Sequence, residues 1–65
     1  MNERDTYKYH LRQNGKVVHS GATYDLERRE VEHQEEFPGS RIEQVGQRTT
    51  WRAARLWEEA QWLRR

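Results

Sequence analysis

Arg29 and His33 are the first pair of residues in this sequence whose types and spacing suit chemistry on an oxyanion. They lie in a charged segment after Gly21, which would form a turn. A helix capped by Thr23 or Asp25 would place residues four apart on one face, with a guanidinium beside an imidazole. Such a pair suits the oxygens of a phosphate group. The alternative is an ordinary solvated face, since charged helices carry many such pairs.

Histidines and carboxylates elsewhere limit the kinds of metal site. His10, His19 and His33 match no zinc-ligand spacing, and the chain has no cysteine. A hard cation such as Mg²⁺ needs only one or two protein carboxylates, because it keeps most of its water ligands. Glu58 or Glu59 could hold such a cation, although helix carboxylates are usually just solvated. The sequence therefore disfavours structural zinc and leaves a magnesium site open.

Several classes of function are excluded by what the sequence lacks. Without cysteine there is no disulfide framework and no thiol nucleophile. Ser20 and Ser40 lie outside any nucleophile-elbow motif, and no Walker-type phosphate loop is present. The 12 Lys and Arg residues nearly balance the 11 Asp and Glu residues. Any contact with nucleic acid must therefore come from a local basic patch.

The bulk composition predicts one small domain over residues 1–65, with residues 1–5 frayed. The chain is 32% hydrophobic and 35% charged, with a mean hydropathy of −1.40. Aromatic residues must then carry much of a thin core, which leaves a homodimer or a protein partner open. The polar start resembles no signal peptide, and no apolar run approaches about 20 residues. We expect a cytoplasmic protein without membrane contact.

The first part of the chain predicts a β-hairpin. Residues 6–12 alternate between apolar or aromatic and basic side chains, as a half-buried strand does. Asn14-Gly15 is a strong turn signal, and residues 16–20 return as the second strand. Aromatic residues interleaved with basic ones can also stack single-stranded bases. For Tyr7 and Leu11 we favour packing in the core.

The remainder predicts two helices around a third strand. The first helix would run over about residues 23–36, the strand over residues 41–46 and the final helix over about residues 51–63. The predicted fold class is therefore α+β in the order β-β-α-β-α. It would contain a small three-stranded, mainly antiparallel sheet flanked by helices.

The final helix, capped by Thr49-Thr50, presents small and aliphatic residues at helical spacing. These form its predicted core-facing stripe: Ala53, Leu56, Ala60 and Leu63. Trp51, Trp57 and Trp62 also lie on this helix and cannot all face one small core. We therefore expect at least one exposed tryptophan.

Taken in order, the strand segments resemble the GIY-YIG nuclease domain, most closely its small stand-alone members. Tyr7-Lys8-Tyr9-His10-Leu11 is similar to the strand of the first motif. Val18-His19-Ser20-Gly21 is similar to the strand of the second motif, with His19 in place of its tyrosine. The predicted order of strands and helices agrees with the family over nearly the whole chain.

The helical segments extend the resemblance. Arg29 follows His19 by ten residues, the separation at which the family's invariant arginine follows the second tyrosine. His33 stands where family members often have histidine. The segment Thr49–Glu58 is similar to the start of the family's late helix, and it points to Glu58 as the metal-binding glutamate.

The resemblance implies a nuclease that hydrolyses phosphodiester bonds of nucleic acid, with DNA as the expected substrate and Mg²⁺ or Mn²⁺ as the cofactor. It implies that Glu58 holds the cation and that Arg29 clamps a phosphate oxygen. Tyr9 or His19 would activate the attacking water, and His33 would orient the phosphate or shuttle a proton. Four basic residues would contact the nucleic-acid backbone: Lys8, Lys16, Arg28 and Arg52.

Departures from the family pattern leave two alternatives. His19 replaces a tyrosine, and the lysine expected a turn after Glu58 would fall near Trp62. An imidazole can still take a proton near neutral pH, so activity is compatible with the first change. The chain could instead be a catalytically inactive nucleic-acid-binding module of the same fold. It could also be a small protein-interaction domain that uses exposed tryptophans.

The register of the hairpin decides whether Tyr9 and His19 can act together. A two-residue loop at Asn14-Gly15 would place Tyr9 opposite Ser20 and direct His19 to the other face. A three-residue turn with a glycine bulge would place Tyr9 opposite His19. The expected chemistry prefers the bulged register.

Overall fold

Five elements in the order β-β-α-β-α form the computed structural model, which describes residues 4–63. The strands are β1 (Thr6–Gln13), β2 (Lys16–Thr23) and β3 (Arg41–Thr49), and the helices are α1 (Leu26–Glu36) and α2 (Trp51–Leu63). The strands form one antiparallel sheet in the order β2-β1-β3. The predicted α+β class and element order are confirmed. The fraying expected for residues 1–5 lies partly outside the described residues.

The hairpin closes through a two-residue loop. Asn14 and Gly15 both have positive φ, 54° and 78°, and Gln13 pairs with Lys16 on either side of them. Positive φ at both central residues is the geometry of the tight turn whose twist matches that of the flanking strands. The Asn-Gly turn signal is therefore confirmed.

Neither register considered from the sequence is correct, because the bulge lies within β2. Leu11 pairs with His19, whereas Arg12 pairs with Val17, so Val18 is the extra residue. Tyr9 consequently pairs with Gly21 instead of Ser20 or His19. The bulge shifts the alternation of β2 by one residue, which returns His19 to the sheet face that Tyr9 occupies.

Helix α1 lies against the sheet face that carries Tyr9, whereas α2 contacts His10 on the other face through Trp57 and also reaches His19 through Trp62. Side chains at Tyr9 and His10 point to opposite faces, because successive residues of a strand alternate. His33 of α1 contacts the Tyr9 ring, and Trp57 of α2 contacts the His10 ring at a centroid distance of 5.4 Å. The predicted flanking of the sheet by helices is confirmed. Neither helix combines the length and apolarity that crossing a bilayer would require.

The start of α1 differs from the prediction. β2 continues to Thr23, so the helix begins at Leu26, with Asp25 as its cap. The Asp25 carboxylate accepts a hydrogen bond of 3.2 Å from the Arg28 backbone N–H, which satisfies one of the unpaired donors of the first turn. Gly21 lies inside β2 and has no positive φ, so its predicted role as a turn residue is wrong.

Strand β3 is longer than predicted, whereas the bounds of α2 agree with the prediction. β3 extends to Thr49, beyond the predicted end at residue 46, and passes through Gly46 with φ of 63°. α2 has the predicted bounds, and the Thr50 hydroxyl accepts a hydrogen bond of 3.1 Å from the Ala53 N–H. The predicted threonine cap is thus confirmed at Thr50.

The face of α2 that contacts the sheet is not the predicted one. Leu56 is 61% exposed and Leu63 is 85% exposed, and both alanines of the predicted stripe, Ala53 and Ala60, are also exposed. The buried residue of α2 is Ala54, and Trp57, one turn later, packs on His10. A tryptophan ring contributes more contact area than a leucine, so it determines the buried side of a helix this poor in large aliphatic residues.

Candidate functional site

Three rings from three different elements meet on one face of the sheet. Tyr9 of β1 lies 5.7 Å from His33 of α1 and 6.3 Å from His19 of β2, measured between ring centroids. The two histidine rings are 5.0 Å apart. We call Tyr9, His19 and His33 the Tyr-His cluster. The structure therefore brings together three of the residues that the sequence indicated as catalytic.

The Tyr9 ring is held at the centre of this cluster by its packing. Tyr9 is only 2% exposed, and its ring lies against the backbone of Gly21, its cross-strand partner. The absence of a side chain at residue 21 makes this close approach possible. The phenolic oxygen reaches His33 Nε2 at 2.8 Å. Strand pairing and packing thus aim the hydroxyl of Tyr9 at α1.

Tyr9 is a hydrogen-bond donor at neutral pH. Burial raises the pKa of its hydroxyl from 10.0 to about 12, and the negative charges of Glu58 and Glu32 also raise it. The positive charge of Arg29 opposes these effects on the pKa but is smaller than the effect of burial. The phenol therefore keeps its proton at neutral pH and can donate a hydrogen bond to His33 Nε2.

His33 is the matching acceptor. Burial lowers the pKa of its imidazole from 6.5, and the neighbouring His19 and Arg29 lower it further. Glu36 and Glu32 act in the opposite direction on this pKa without cancelling the decrease. The ring is therefore mainly neutral at pH 7, and in the tautomer protonated at Nδ1 its Nε2 accepts the Tyr9 hydrogen bond.

Arg29 supplies a positive charge beside the cluster. It lies on α1 one turn before His33, and its Nη1 is 3.6 Å from a Glu32 carboxylate oxygen. Its Nε is buried and has no hydrogen-bond partner among residues 4–63. A buried guanidinium N–H without a partner costs free energy unless a ligand accepts a bond from it. Arg29 therefore has the unused donor that binding an oxyanion would need.

A cavity of about 240 Å³ adjoins Arg29. It lies where β2 leads into α1, and polar or charged side chains supply most of its lining. The lining residues are Thr23, Tyr24, Asp25, Arg28, Arg29 and Glu32. Two of these six residues are arginines and two are carboxylates, so Arg28 and Arg29 would bind an anionic group in competition with Glu32.

Glu58 approaches the cluster from the other helix. Its carboxylate is mostly shielded from solvent and lies 3.3 Å from Nη1 of Arg55, three residues earlier on α2. The negative charge of Glu58 raises the pKa of Tyr9, whereas the positive charge of Arg29 lowers it. A guanidinium from α1 and a carboxylate from α2 therefore both influence the pKa of the same phenol.

Glu58, as a single carboxylate, suits a weakly held hard cation better than a structural metal. Within residues 4–63, no three His, Asp or Glu side chains group as a metal-binding site. One carboxylate is nevertheless enough for Mg²⁺ or Mn²⁺ when water and a phosphate supply the other ligands. Glu58 is thus the residue that would hold the cation, in competition with Arg55.

Of the four basic residues expected to contact nucleic acid, only Arg28 lies next to Arg29. It lines the cavity and has its Nε 4.0 Å from Glu32. Lys8 lies on the opposite sheet face, with its Nζ 6.0 Å from the centroid of Trp57. Lys16 is exposed at the hairpin turn, and Arg52 is exposed on the first turn of α2. The structure does not bring these last three to the cluster.

Two residues near the site escaped the sequence analysis. Glu32 contacts both Arg28 and Arg29, and Arg55 contacts Glu58. Both follow the helical spacing of three or four residues that pairs opposite charges, which was the available signal. That spacing cannot show which ion pairs lie beside a site, because only the packing of a helix against the sheet determines which of its faces borders the site.

Comparison with known proteins adds no relative. No family model matches the chain, and neither a curated protein nor a solved structure does. The resemblance to the GIY-YIG domain therefore stays a prediction from short motifs. The functional interpretation depends on the geometry of the Tyr-His cluster, Arg29 and Glu58.

Proposed function

We propose that this chain is a metal-dependent nuclease-like domain that hydrolyses phosphodiester bonds of nucleic acid, with DNA as the expected substrate. The observation that carries the proposal is the hydrogen bond of 2.8 Å between the Tyr9 hydroxyl and His33 Nε2, together with the opposite effects of the Arg29 and Glu58 charges on the pKa of Tyr9. A proton donor–acceptor pair beside a cationic and an anionic group is what hydrolysis of a phosphate diester needs.

Tyr9 and His33 form a two-step proton relay in this mechanism. With a pKa of about 12, Tyr9 is protonated at neutral pH, so its phenolate is not available as a general base. Its oxygen can instead take a proton from water while its own proton passes to His33 Nε2. Water then loses one proton and His33 gains one, which generates the attacking hydroxide. His19 adjoins both rings and tunes the relay by lowering the pKa of His33.

Arg29 stabilises the phosphate during attack. Its buried Nε–H would donate to a non-bridging oxygen, whose negative charge increases as the hydroxide oxygen bonds to phosphorus. The phosphorus–oxygen ester bond on the opposite side then breaks, and the departing oxygen takes a proton from solvent. Because Nε is shielded from solvent in this structure, the guanidinium must turn towards the cavity before this donor can reach the phosphate.

Glu58 would hold the divalent cation. When bound, Mg²⁺ or Mn²⁺ would neutralise charge on the phosphate and on the departing oxygen. Arg55 orients the Glu58 carboxylate through their contact of 3.3 Å. The same contact competes with the cation, because the Arg55 guanidinium and a metal ion would both bind the Glu58 carboxylate.

That competition also favours a second candidate function, an inactive nucleic-acid-binding module of the same fold. If Arg55 keeps Glu58 permanently occupied, the site retains Arg28 and Arg29 beside the cavity but cannot hold a cation. The protein-interaction alternative is supported by the exposure of Trp51 and Trp62, which confirms the expectation that not all three tryptophans face the core.

Incubation with supercoiled plasmid and with single-stranded DNA, in Mg²⁺ or in EDTA, tests the proposal. We expect nicking in Mg²⁺ that EDTA abolishes and that Arg29→Ala and Glu58→Gln each remove. Arg41→Ala and Glu35→Gln are matched controls, because both residues are exposed and lie outside the site. Binding without nicking would favour the inactive module. Neither binding nor nicking would leave the protein-interaction alternative.

A further inference from the structure

One face of α2 is apolar and faces solvent. Its residues follow the spacing of three, four and three that keeps side chains in one line along a helix, and we call them the α2 stripe. The stripe consists of Ala53, Leu56, Ala60 and Leu63. All four are exposed, and the exposed fractions of Leu56 and Leu63 are 61% and 85%. The side of α2 that contacts the sheet is a different one, which carries Ala54 and Trp57.

The stripe leaves in water apolar area that the small core does not use. Among residues 4–63, the buried apolar side chains are those of Tyr9, Leu11 and Ala54. Contiguous exposed apolar side chains mark an interaction surface, whereas single scattered ones are common on any protein. An occupant of this surface must therefore present an apolar line of matching length.

Two charged residues beside the stripe select its occupant. Arg52 and Glu59 are seven residues apart, so they lie on the same side of the stripe, about 10.5 Å from each other along the helix axis. Both are exposed, and neither forms an ion pair within residues 4–63. Arg55 and Glu58, in contrast, are paired with each other. One side of the stripe thus carries one unpaired charge of each sign.

The positions of these charges make the face complementary to itself. Arg52 lies four residues before Leu56 and Glu59 lies three residues after it, whereas Ala53 lies three before and Ala60 four after. Consider a second α2 that runs antiparallel to the first and is related to it by a two-fold axis at Leu56. Each arginine is then level with the glutamate of the other copy to within about one residue, or about 1.5 Å. The alanines also face each other, and their small side chains allow a close approach of the two helices.

We propose that the α2 stripe is the interface of a homodimer with antiparallel α2 helices. Leu56 of the two copies meets at the axis, and Arg52 of each copy pairs with Glu59 of the second copy. A two-fold interface requires a surface that complements itself, and a stripe with one free charge of each sign on the same side has this property. The inference goes beyond the proposed function, because the stripe contains none of the residues assigned to phosphodiester hydrolysis.

Association through this surface should be weak and reversible. One pair of 13-residue helices covers less area than the roughly 1,200 Å² at which stable protein interfaces begin. Exposed ion pairs add little to it. We expect a dissociation constant on the order of 100 µM. At about 5 µM the protein is then monomeric and Leu56 contacts solvent, so dilute unfolding experiments describe the monomer.

Sedimentation equilibrium of the wild-type chain tests the proposal without any variant. Between about 5 µM and about 1 mM protein, the average mass should rise from that of the 8.0 kDa monomer towards twice this value. A chain that stays monomeric over this range would overturn the proposal and leave the stripe to a different partner.

Substitution of Leu56 locates the interface. Leu56→Ala should raise the dissociation constant at least about tenfold, because it removes apolar contact area from both copies. Val31→Ala is the matched control and should leave association unchanged, since Val31 is 62% exposed but lies on α1. A dimer that Leu56→Ala does not weaken would overturn the proposal, because it would form through another surface.

Charge reversal tests the antiparallel pairing. Arg52→Glu alone and Glu59→Arg alone each place like charges opposite each other in both pairs, so each should weaken association about fivefold or more. An equimolar mixture of these two variants restores opposite charges in both pairs. It should associate within about twofold of the wild-type protein. A mixture that associates no better than the separate variants would overturn the antiparallel arrangement.

A second mixture controls for net charge. Arg41→Glu and Glu35→Arg change the net charge by the same amounts at exposed residues outside the stripe. Each of these variants should associate as the wild-type protein does, alone or mixed. If this mixture reproduces the behaviour of the first one, the pairing of Arg52 with Glu59 is not the cause, which would also contradict the proposal.

Discussion

A Cβ atom on Gly21 would lie 2.7 Å from the Tyr9 hydroxyl oxygen and 2.9 Å from the ring carbon that bears it. Gly21 and Tyr9 are cross-strand partners, and the Tyr9 ring is buried at that point. The position of the phenol therefore depends on the absence of a side chain at Gly21, a residue without a chemical role of its own. The hydrogen bond to His33 depends on it in turn.

Gly21→Ala should displace the Tyr9 ring and destabilise the fold by about 1–3 kcal/mol, the usual cost of overpacking. Urea unfolding measures this loss in the free energy of unfolding. The matched test is the same substitution in a Tyr9→Leu background, where the ring is absent and the added methyl group should cost much less. Equal costs in the two backgrounds would contradict the contact as the cause.

Tyr9→Phe should change the alkaline stability of the protein. Because the pKa of Tyr9 is about 12 in the folded state and 10.0 as its ordinary value, the unfolded chain releases this proton first. The wild-type protein should therefore lose stability relative to Tyr9→Phe as the pH rises from 10 towards 12, by roughly 2–3 kcal/mol in total. Chemical denaturation of both proteins across this pH range gives the difference, and Tyr24→Phe serves as the control for an exposed phenol.

His33 should determine the acid limb of the nicking rate. The relay needs a neutral imidazole, and the pKa of His33 is lowered from 6.5 by burial, His19 and Arg29. The rate should therefore hold as the pH falls to 6.5 and decline only below it. His33→Gln keeps a polar side chain but cannot accept a full proton, so it should lower the rate by about a hundredfold or more and remove this limb. A decline centred above pH 6.5 would exclude His33 as the titrating group.

Arg55→Ala should make the site easier to load with a cation. Removing the guanidinium frees the Glu58 carboxylate from a partly exposed ion pair of 3.3 Å. Such pairs contribute about 0.2–1 kcal/mol, so the Mg²⁺ concentration for half-maximal nicking should fall by roughly 1.5-fold to fivefold. A titration of nicking against Mg²⁺ measures this, with Arg41→Ala as the control. An increase in that concentration would show that Arg55 assists cation binding instead of competing with it.

Substitution of leucines should separate the core from the exposed side of α2. Leu11 is fully buried in β1, so Leu11→Ala should cost about 2–5 kcal/mol. Leu56→Ala should stay within about 0.5 kcal/mol, because the side chain contacts solvent. Thermal or urea unfolding compares the two variants. A large loss from Leu56→Ala would indicate that this face of α2 is covered in solution, as the homodimer left open by the sequence would require.

The elements of the fold were predictable because their signals are local. The Asn14-Gly15 turn sets the hairpin, Asp25 caps α1, and the Thr50 cap with helical spacing behind it defines α2. Each of these depends on hydrogen bonds or backbone angles within a few residues. The α+β order followed from them without any knowledge of long-range contacts.

The candidate site was only partly predictable. The types and spacing of Arg29 and His33 pointed to α1, and the family resemblance pointed to Tyr9, His19 and Glu58. The extra residue Val18 in β2, which returns His19 to the face of Tyr9, has no signal of its own in the sequence. Glu32 and Arg55 were missed because they are ordinary members of charged helix surfaces until packing sets them beside other groups.

Sequence alone determined the type, the order and the approximate extent of the strands and helices, since turns, caps and periodicity are properties of neighbouring residues. Only the tertiary structure decided which side of α2 contacts the sheet. It also showed that Gly21 makes room for the Tyr9 ring instead of forming a turn, and that Tyr9 is hydrogen-bonded to His33. The physical reason is that burial, close approach and shifted pKa values arise between residues distant in the chain, and one large ring such as Trp57 can outweigh a stripe of smaller aliphatic side chains.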